Sequence, residues 1–165
     1  MSKFFQKYAT WRNVALLLAL IALINGLLFW SFSSNPELNP LDMQFSYSPE
    51  KAYEILSEYS DNERSRYILV ELTLDVLYPI AYSLCISFVL FLLYKSSRIA
   101  KVALLLIAID FAENILIVVL LTYYPIKLPI IVSFASFFTS MKWMVIAISA
   151  MLLVYGLVKK LFKFS

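Results

Sequence analysis

Ionisable side chains occur inside otherwise apolar stretches of this 165-residue sequence. Asp75 lies in the second such stretch, Asp110 and Glu113 lie in the third, and Lys142 lies near the middle of the fourth. A charge at the centre of a lipid bilayer costs about 2.5–3.5 kcal/mol on insertion scales, so residues of this kind face inward and pair, carry a proton or bind a ligand. These four residues are therefore the first candidates for a functional site.

Helical spacing groups the ionisable residues with other polar side chains. One face of the second stretch is predicted to carry Glu71, Asp75, Tyr78, Tyr82 and Cys85. Asp110, Glu113 and Asn114 share a face of the third, and Pro79 is expected to free a backbone carbonyl near Asp75 and to kink the helix. Asn25 is expected to supply an amide from the first stretch. The predicted ligand-binding residues are Asp75, Tyr78, Tyr82, Asp110, Glu113, Asn114 and Lys142. No catalytic residue is predicted, no cofactor is expected, and the identity of any metal is left open.

Lys142 is expected to pair with an acid of the third stretch. A short loop around Pro125 joins the third and fourth stretches, so their helices should be antiparallel neighbours. Counting residues from that loop pairs Lys142 with Asp110, whereas counting from the helix midpoints pairs it with Glu113. Four acids against one lysine leave an excess of negative charge. Glu71 is expected to reach the headgroup region, which leaves Asp75 and one further acid to carry a proton or to meet a ligand.

The composition is that of a membrane protein. Hydrophobic residues make up 62% of the chain and charged residues 15%, against about 25% charged in soluble domains. Four stretches reach the length of about 20 residues that crosses a bilayer: 14–32, 68–94, 102–123 and 128–157. The predicted fold is all-α, a single membrane domain over residues 1–165 in which four helices form a bundle. This composition excludes disorder, nucleic-acid binding and a secreted disulfide scaffold.

Two absences narrow the possible chemistry. The chain has no histidine and one cysteine, which excludes imidazole metal sites, haem ligation by histidine and a serine–histidine or cysteine–histidine pair. With a single cysteine there is no internal disulfide. Any site must therefore be built from carboxylates, hydroxyls, amides and lysine.

The distribution of basic residues predicts the orientation. The N-terminus, the second connection and the tail contain lysine and arginine but no acid, whereas the first connection is mostly acidic and the third holds only Lys127. Basic residues favour the cytoplasmic side, so both termini are expected there. The predicted location is a bacterial inner (plasma) membrane.

The first connection, residues 33–66, is the only sizeable part outside the four stretches. Within it, residues 49–59 are predicted to form a short amphipathic helix that begins at Ser48 and Pro49. Its apolar face carries Ala52, Ile55, Leu56 and Tyr59, opposite Glu50, Glu54 and Glu58. Because so short a helix is unstable alone, we expect it to dock on the bundle as a cap.

Three functions remain open at this point. The first is an intramembrane site that binds a proton, a cation or a polar-headed amphiphile or lipid. The second is a structural or assembly subunit that contacts a membrane-protein partner through residues 33–66. The third is an intramembrane enzyme with paired carboxylates, which is disfavoured because Asp75 is expected to lie nearer the membrane surface than Asp110 and Glu113. The expected partners are the lipid bilayer, a cation or amphiphile and possible membrane proteins, with no nucleic acid.

Overall fold

The protein is all-helical, with no strand, in the part that the structure, a computed structural model, describes, which is residues 2–32 and 39–162. This confirms the all-α class. The helices in chain order are α1 (Ser2–Tyr8), α2 (Trp11–Phe32), α3 (Pro49–Ser57), α4 (Asp61–Leu72), α5 (Leu74–Tyr94), α6 (Ser97–Tyr123) and α7 (Pro129–Phe162), with a single 3-10 turn at Leu41–Met43.

Four helical stretches are long and apolar enough to cross a membrane: Trp11–Ser31, Asp61–Tyr94, Ser97–Tyr123 and Pro129–Phe162. They coincide with the four predicted stretches, although each extends further at one end. The second begins at Asp61 rather than at Ile68, because Ser60 and Glu63 form a capping box that starts α4. At Thr73, six residues before Pro79, the backbone leaves helical geometry (φ −126°, ψ −81°) and separates α4 from α5.

Packing among the long helices is uneven. α5, α6 and α7 pack against one another, whereas α2 packs chiefly against α5 and leaves most of its surface exposed. Leu16, Leu23 and Phe29 on α2 each expose more than half of their surface. An apolar surface of this size is typical of a helix that faces lipid.

The predicted amphipathic helix is confirmed as α3. The Ser48 hydroxyl accepts a hydrogen bond from the Lys51 N–H at 3.3 Å, and Pro49 occupies the first helical position. All four residues of the predicted apolar face are buried, while its three glutamates are exposed. Tyr53, also buried, accepts from the Leu128 N–H at 2.6 Å and donates to the Ile126 carbonyl at 3.2 Å. α3 therefore covers the α6–α7 turn, as expected of a cap.

The position of the chain before α3 was not predicted from the sequence. Residues 41–47, here called the inserted segment, run beside α7, whose side chains bind their backbone. Trp143 Nε1 donates to the Gln44 carbonyl at 2.7 Å, and Ser140 Oγ donates to the Phe45 carbonyl at 3.0 Å. The Tyr47 N–H donates to Ser136 Oγ at 2.9 Å. Non-helical backbone needs partners for its polar groups wherever water is excluded, and side chains of α7 supply three of them here.

Replacing Trp143 with phenylalanine tests this attachment. Trp143→Phe keeps an aromatic ring but removes the donor to the Gln44 carbonyl, which leaves a sheltered acceptor unpaired, so the free energy of unfolding should fall by about 1–3 kcal/mol. Unfolding in mixed detergent micelles measures it. The control is Trp11→Phe, because Trp11 is 55% exposed. Equal losses in both variants would contradict the assigned role of Trp143.

Candidate functional site

The candidate site is a layer of ionisable side chains, here called the polar layer, to which five parts of the fold contribute. Its members are Asp42 from the inserted segment, Glu71 from α4, Asp75 from α5, Asp110 and Glu113 from α6, and Lys142 from α7. Four of the six are buried, with exposures between 0% and 6%, and Asp42 and Asp75 are partly buried. The layer therefore has five carboxylates and one lysine.

Lys142 occupies one half of the layer. Its ammonium lies 2.7 Å from Glu113 Oε2 and 3.5 Å from Asp110 Oδ1, and it donates to the backbone carbonyl of Asp42 at 3.1 Å. The predicted pairing is confirmed, and both of the alternatives hold at once. An ammonium has three N–H donors, and each of the three finds an oxygen here.

Hydroxyl groups complete the surroundings of the two α6 acids. Thr139 Oγ1 donates to Glu113 Oε1 at 2.6 Å, and the Tyr82 hydroxyl donates to Asp110 Oδ2. Tyr47 from the inserted segment places its hydroxyl 3.5 Å from Thr139 Oγ1. Burial, with the negative charge of Glu113 as a further contribution, raises the pKa of Tyr47, so its hydroxyl remains protonated. Each α6 acid thus has an ion pair with Lys142 and a hydrogen bond from one hydroxyl.

Asn114 has a structural task. Pro79 has no N–H, so the carbonyl four residues earlier, that of Asp75, lacks its helical partner. Asn114 Nδ2 donates to that carbonyl at 2.8 Å. The predicted free carbonyl near Asp75 therefore exists, and an amide from the neighbouring helix satisfies it.

A double-mutant cycle tests this assignment. Asn114→Leu should lower the free energy of unfolding by about 1–3 kcal/mol, because it leaves the Asp75 carbonyl unpaired. In a Pro79→Ala background the restored backbone N–H takes that carbonyl, and the same substitution should cost clearly less. Reversible unfolding of the four proteins measures the coupling. An equal cost in both backgrounds would show that Asn114 acts elsewhere.

The other half of the layer contains three acids and no paired cation. One carboxylate oxygen from each of Asp42, Glu71 and Asp75 lies within 4.8 Å of the other two. Tyr67 donates its hydroxyl proton to Asp42 Oδ1 at 2.6 Å. Among the residues that the structure describes, no ion pair reaches any of these three acids. Glu71 is 1% exposed, and its Oε2 makes no hydrogen bond to a described residue.

Two expectations about the site are wrong. Glu71 does not reach a solvated position but is buried beside Asp42 and Asp75, because only Thr73 separates the end of α4 from α5 and this keeps Glu71 next to Asp75. Asn25, expected to supply an amide from the first helix, is exposed on α2, which lies outside the α5–α6–α7 core.

The predicted ligand-binding residues occupy four different places in the structure. Asp110, Glu113, Tyr82 and Lys142 meet in one half of the polar layer, and Asp75 lies in the other. Asn114 binds the backbone at the edge of the layer. Tyr78 packs its ring edge-on against that of Tyr82, with centroids 5.3 Å apart, and hydrogen-bonds to none of the described residues.

The main residue that sequence reasoning missed is Asp42. It is one of seven acids in the first connection, and its local sequence does not distinguish it from the six others. The membership of Glu71 was indicated by its position one helical turn before Asp75. Thr139 was indicated in the same way, because it lies three residues before Lys142 and so on the same face of the helix.

The chemical consequence is an excess of negative charge. Five carboxylates against one ammonium would leave four uncompensated negative charges if every acid were ionised. Buried charges are stable only when they are paired or coordinate a cation. The layer can therefore accept positive charge, and the half around Glu71 is where it would be held.

No protein-family model matches the chain, and no curated protein or solved structure matches it either. The function must therefore be inferred from the geometry of the polar layer.

Opposite effects are expected for charge removal in the two halves. Lys142→Met leaves Asp110 and Glu113 buried without their cation and should lower the free energy of unfolding by about 3–5 kcal/mol. Glu71→Gln removes one of three adjacent negative charges and should leave stability unchanged or raised in cation-free buffer. Unfolding of both variants in one detergent mixture measures the difference. A large loss in Glu71→Gln would mean that Glu71 is satisfied within the fold.

Proposed function

We propose that this protein is an integral membrane protein that binds a cation in its polar layer. The observation that supports the proposal is the group formed by Asp42, Glu71 and Asp75, three adjacent carboxylates that no described cation neutralises. Removing these charges from water is costly, and an added positive charge offsets that cost. A metal ion, a proton or a small organic cation would each serve.

The orientation bears on how a cation reaches the site. Because lysine and arginine concentrate at the termini and in the connection between α5 and α6, we place both termini in the cytoplasm. The first connection, which supplies Asp42, then lies on the opposite side. Glu54 on α3 and Glu58 directly after it are exposed. Their negative charge on this side of the protein would attract cations.

A cation suits the site better than the head of an amphiphile. The three carboxylate oxygens lie within 4.8 Å of one another, a spacing at which a single ion can contact all three. The groove on the protein that would suit an acyl chain lies elsewhere. It is open, apolar and lined by residues of α1, α2 and α5, including Phe4, Leu16 and Phe88.

A structural role is the second candidate, and the Lys142 half of the layer favours it. Lys142, Glu113, Asp110 and Thr139 satisfy one another and join α6 to α7. This network accounts for the burial of Lys142, Glu113 and Asp110. It provides no partner for the carboxylates of Glu71 and Asp75 among the described residues. We therefore assign the Lys142 half to stability and the Glu71 half to binding.

A cation panel tests the proposed function. The full chain in lipid nanodiscs, stripped of metals, is melted with added protons, Na⁺, a divalent metal or a quaternary amine. At least one cation should raise the melting temperature, since a ligand that binds only the folded state stabilises it. The rise should shrink in Glu71→Gln and Asp75→Asn but persist in Glu58→Gln, whose acid is exposed. If no cation stabilises the wild type, the proposal is wrong.

A further inference from the structure

Asp42, Glu71 and Asp75 have a spacing that suits one metal ion. Their three carboxylate oxygens lie within 4.8 Å of one another. Oxygen ligands lie about 2.3–2.6 Å from Ca²⁺, so two on opposite sides of the ion are about 4.6–5.2 Å apart. An ion between the three side chains could therefore contact all of them with little movement.

Glu71 provides independent evidence for a ligand. Its side chain is 99% buried by accessible surface, yet its Oε2 makes no hydrogen bond to a described residue. Buried polar groups in folded proteins nearly always have a partner, and the exceptions call for an ion, a water or a functional explanation. One of its carboxylate oxygens lies within 4.8 Å of those of Asp42 and Asp75, so we place the missing partner between the three side chains.

The donor set determines the class of ion. Carboxylate oxygens favour Mg²⁺, Ca²⁺ and Mn²⁺, whereas softer metals prefer imidazole and thiolate. The chain has no histidine, and its one cysteine, Cys85, is not part of this group. We infer that Asp42, Glu71 and Asp75 together bind one divalent, oxygen-preferring cation, an inference that rests on the cation binding proposed above.

The ligands come from three separate elements, and this gives the ion a structural effect. Asp42 belongs to the inserted segment, whereas Glu71 and Asp75 lie on α4 and α5. Tyr67 holds Asp42 by a 2.6 Å hydrogen bond, and Lys142 binds the carbonyl of the same residue at 3.1 Å. The ion would thus join the inserted segment to the α4–α5 helix pair. Its charge of two would halve the four uncompensated charges of the layer.

Binding of Mn²⁺ to the full chain in nanodiscs tests the inference directly. Free Mn²⁺ gives a paramagnetic resonance signal that is lost on binding, so a titration yields the affinity and the number of sites. We expect one site per chain, from which Ca²⁺ or Mg²⁺ displaces Mn²⁺. Mutation of a residue that hydrogen-bonds a metal ligand typically weakens metal binding about 10–100-fold. Loss of a ligand itself should weaken Mn²⁺ binding at least as much, and this is expected for each of Asp42→Asn, Glu71→Gln and Asp75→Asn.

Controls separate this inference from the proposed function. Glu58→Gln removes an exposed acid of the same connection and should leave Mn²⁺ binding unchanged. Circular dichroism and gel filtration confirm that each variant is folded before its affinity is interpreted. Equal Mn²⁺ affinity in the wild type and the three variants overturns the inference. Stabilisation by a proton or a monovalent cation without Mn²⁺ binding also overturns it, but leaves the proposed cation binding intact.

Discussion

The electrostatics of a dry interior constrain this structure more than any other factor. Water stabilises a carboxylate strongly, and a protein that buries three of them and partly buries two more must replace that stabilisation with hydrogen bonds and positive charge. Lys142 supplies both to Glu113 and Asp110, at 2.7 and 3.5 Å. It does not do so for Asp42, Glu71 and Asp75. That difference separates the half of the polar layer around Lys142 from the half that we propose binds a cation.

The inserted segment depends on the same constraint. Beyond the 3-10 turn at Leu41–Met43, its peptide groups lack the internal hydrogen bonds of a helix, and side chains of α7 supply partners for several of them. Ser136, Ser140 and Trp143, spaced by four and three residues, lie on one face of α7 and do this. Lys142 adds a hydrogen bond to the Asp42 carbonyl, so the residue that pairs with the α6 acids also helps to hold Asp42 beside Glu71 and Asp75.

Local signals in the sequence predicted a good part of this structure. Apolar length located the four long stretches, and Ser48 with Pro49 located the start of α3. Antiparallel neighbours predicted the Lys142 pair, because a long lysine side chain can reach two acids one turn apart. Pro79 predicted the free carbonyl of Asp75. Each of these inferences needed only residues close in sequence or two adjacent helices.

The inserted segment and Asp42 could not be predicted in this way. Their positions depend on contacts with α7 about 100 residues later, such as Lys142 to Asp42 and Trp143 to Gln44. Nothing in the composition of the first connection distinguishes an acid that turns inward from one that faces water. The exposure assigned to Glu71 was wrong for a related reason, since the helix was expected to begin at Ile68 and instead begins at Asp61.

Infrared difference spectroscopy of the protein in lipid tests the central claim most directly. Ionised and protonated carboxyl groups absorb at different frequencies, and bound cations shift the carboxylate bands. We predict that adding the bound cation changes carboxyl bands in the wild type, and that this change is lost or much reduced in Glu71→Gln. If no proton, metal ion or organic cation alters a carboxyl band that depends on Glu71, the buried acids are satisfied within the fold and the account is wrong.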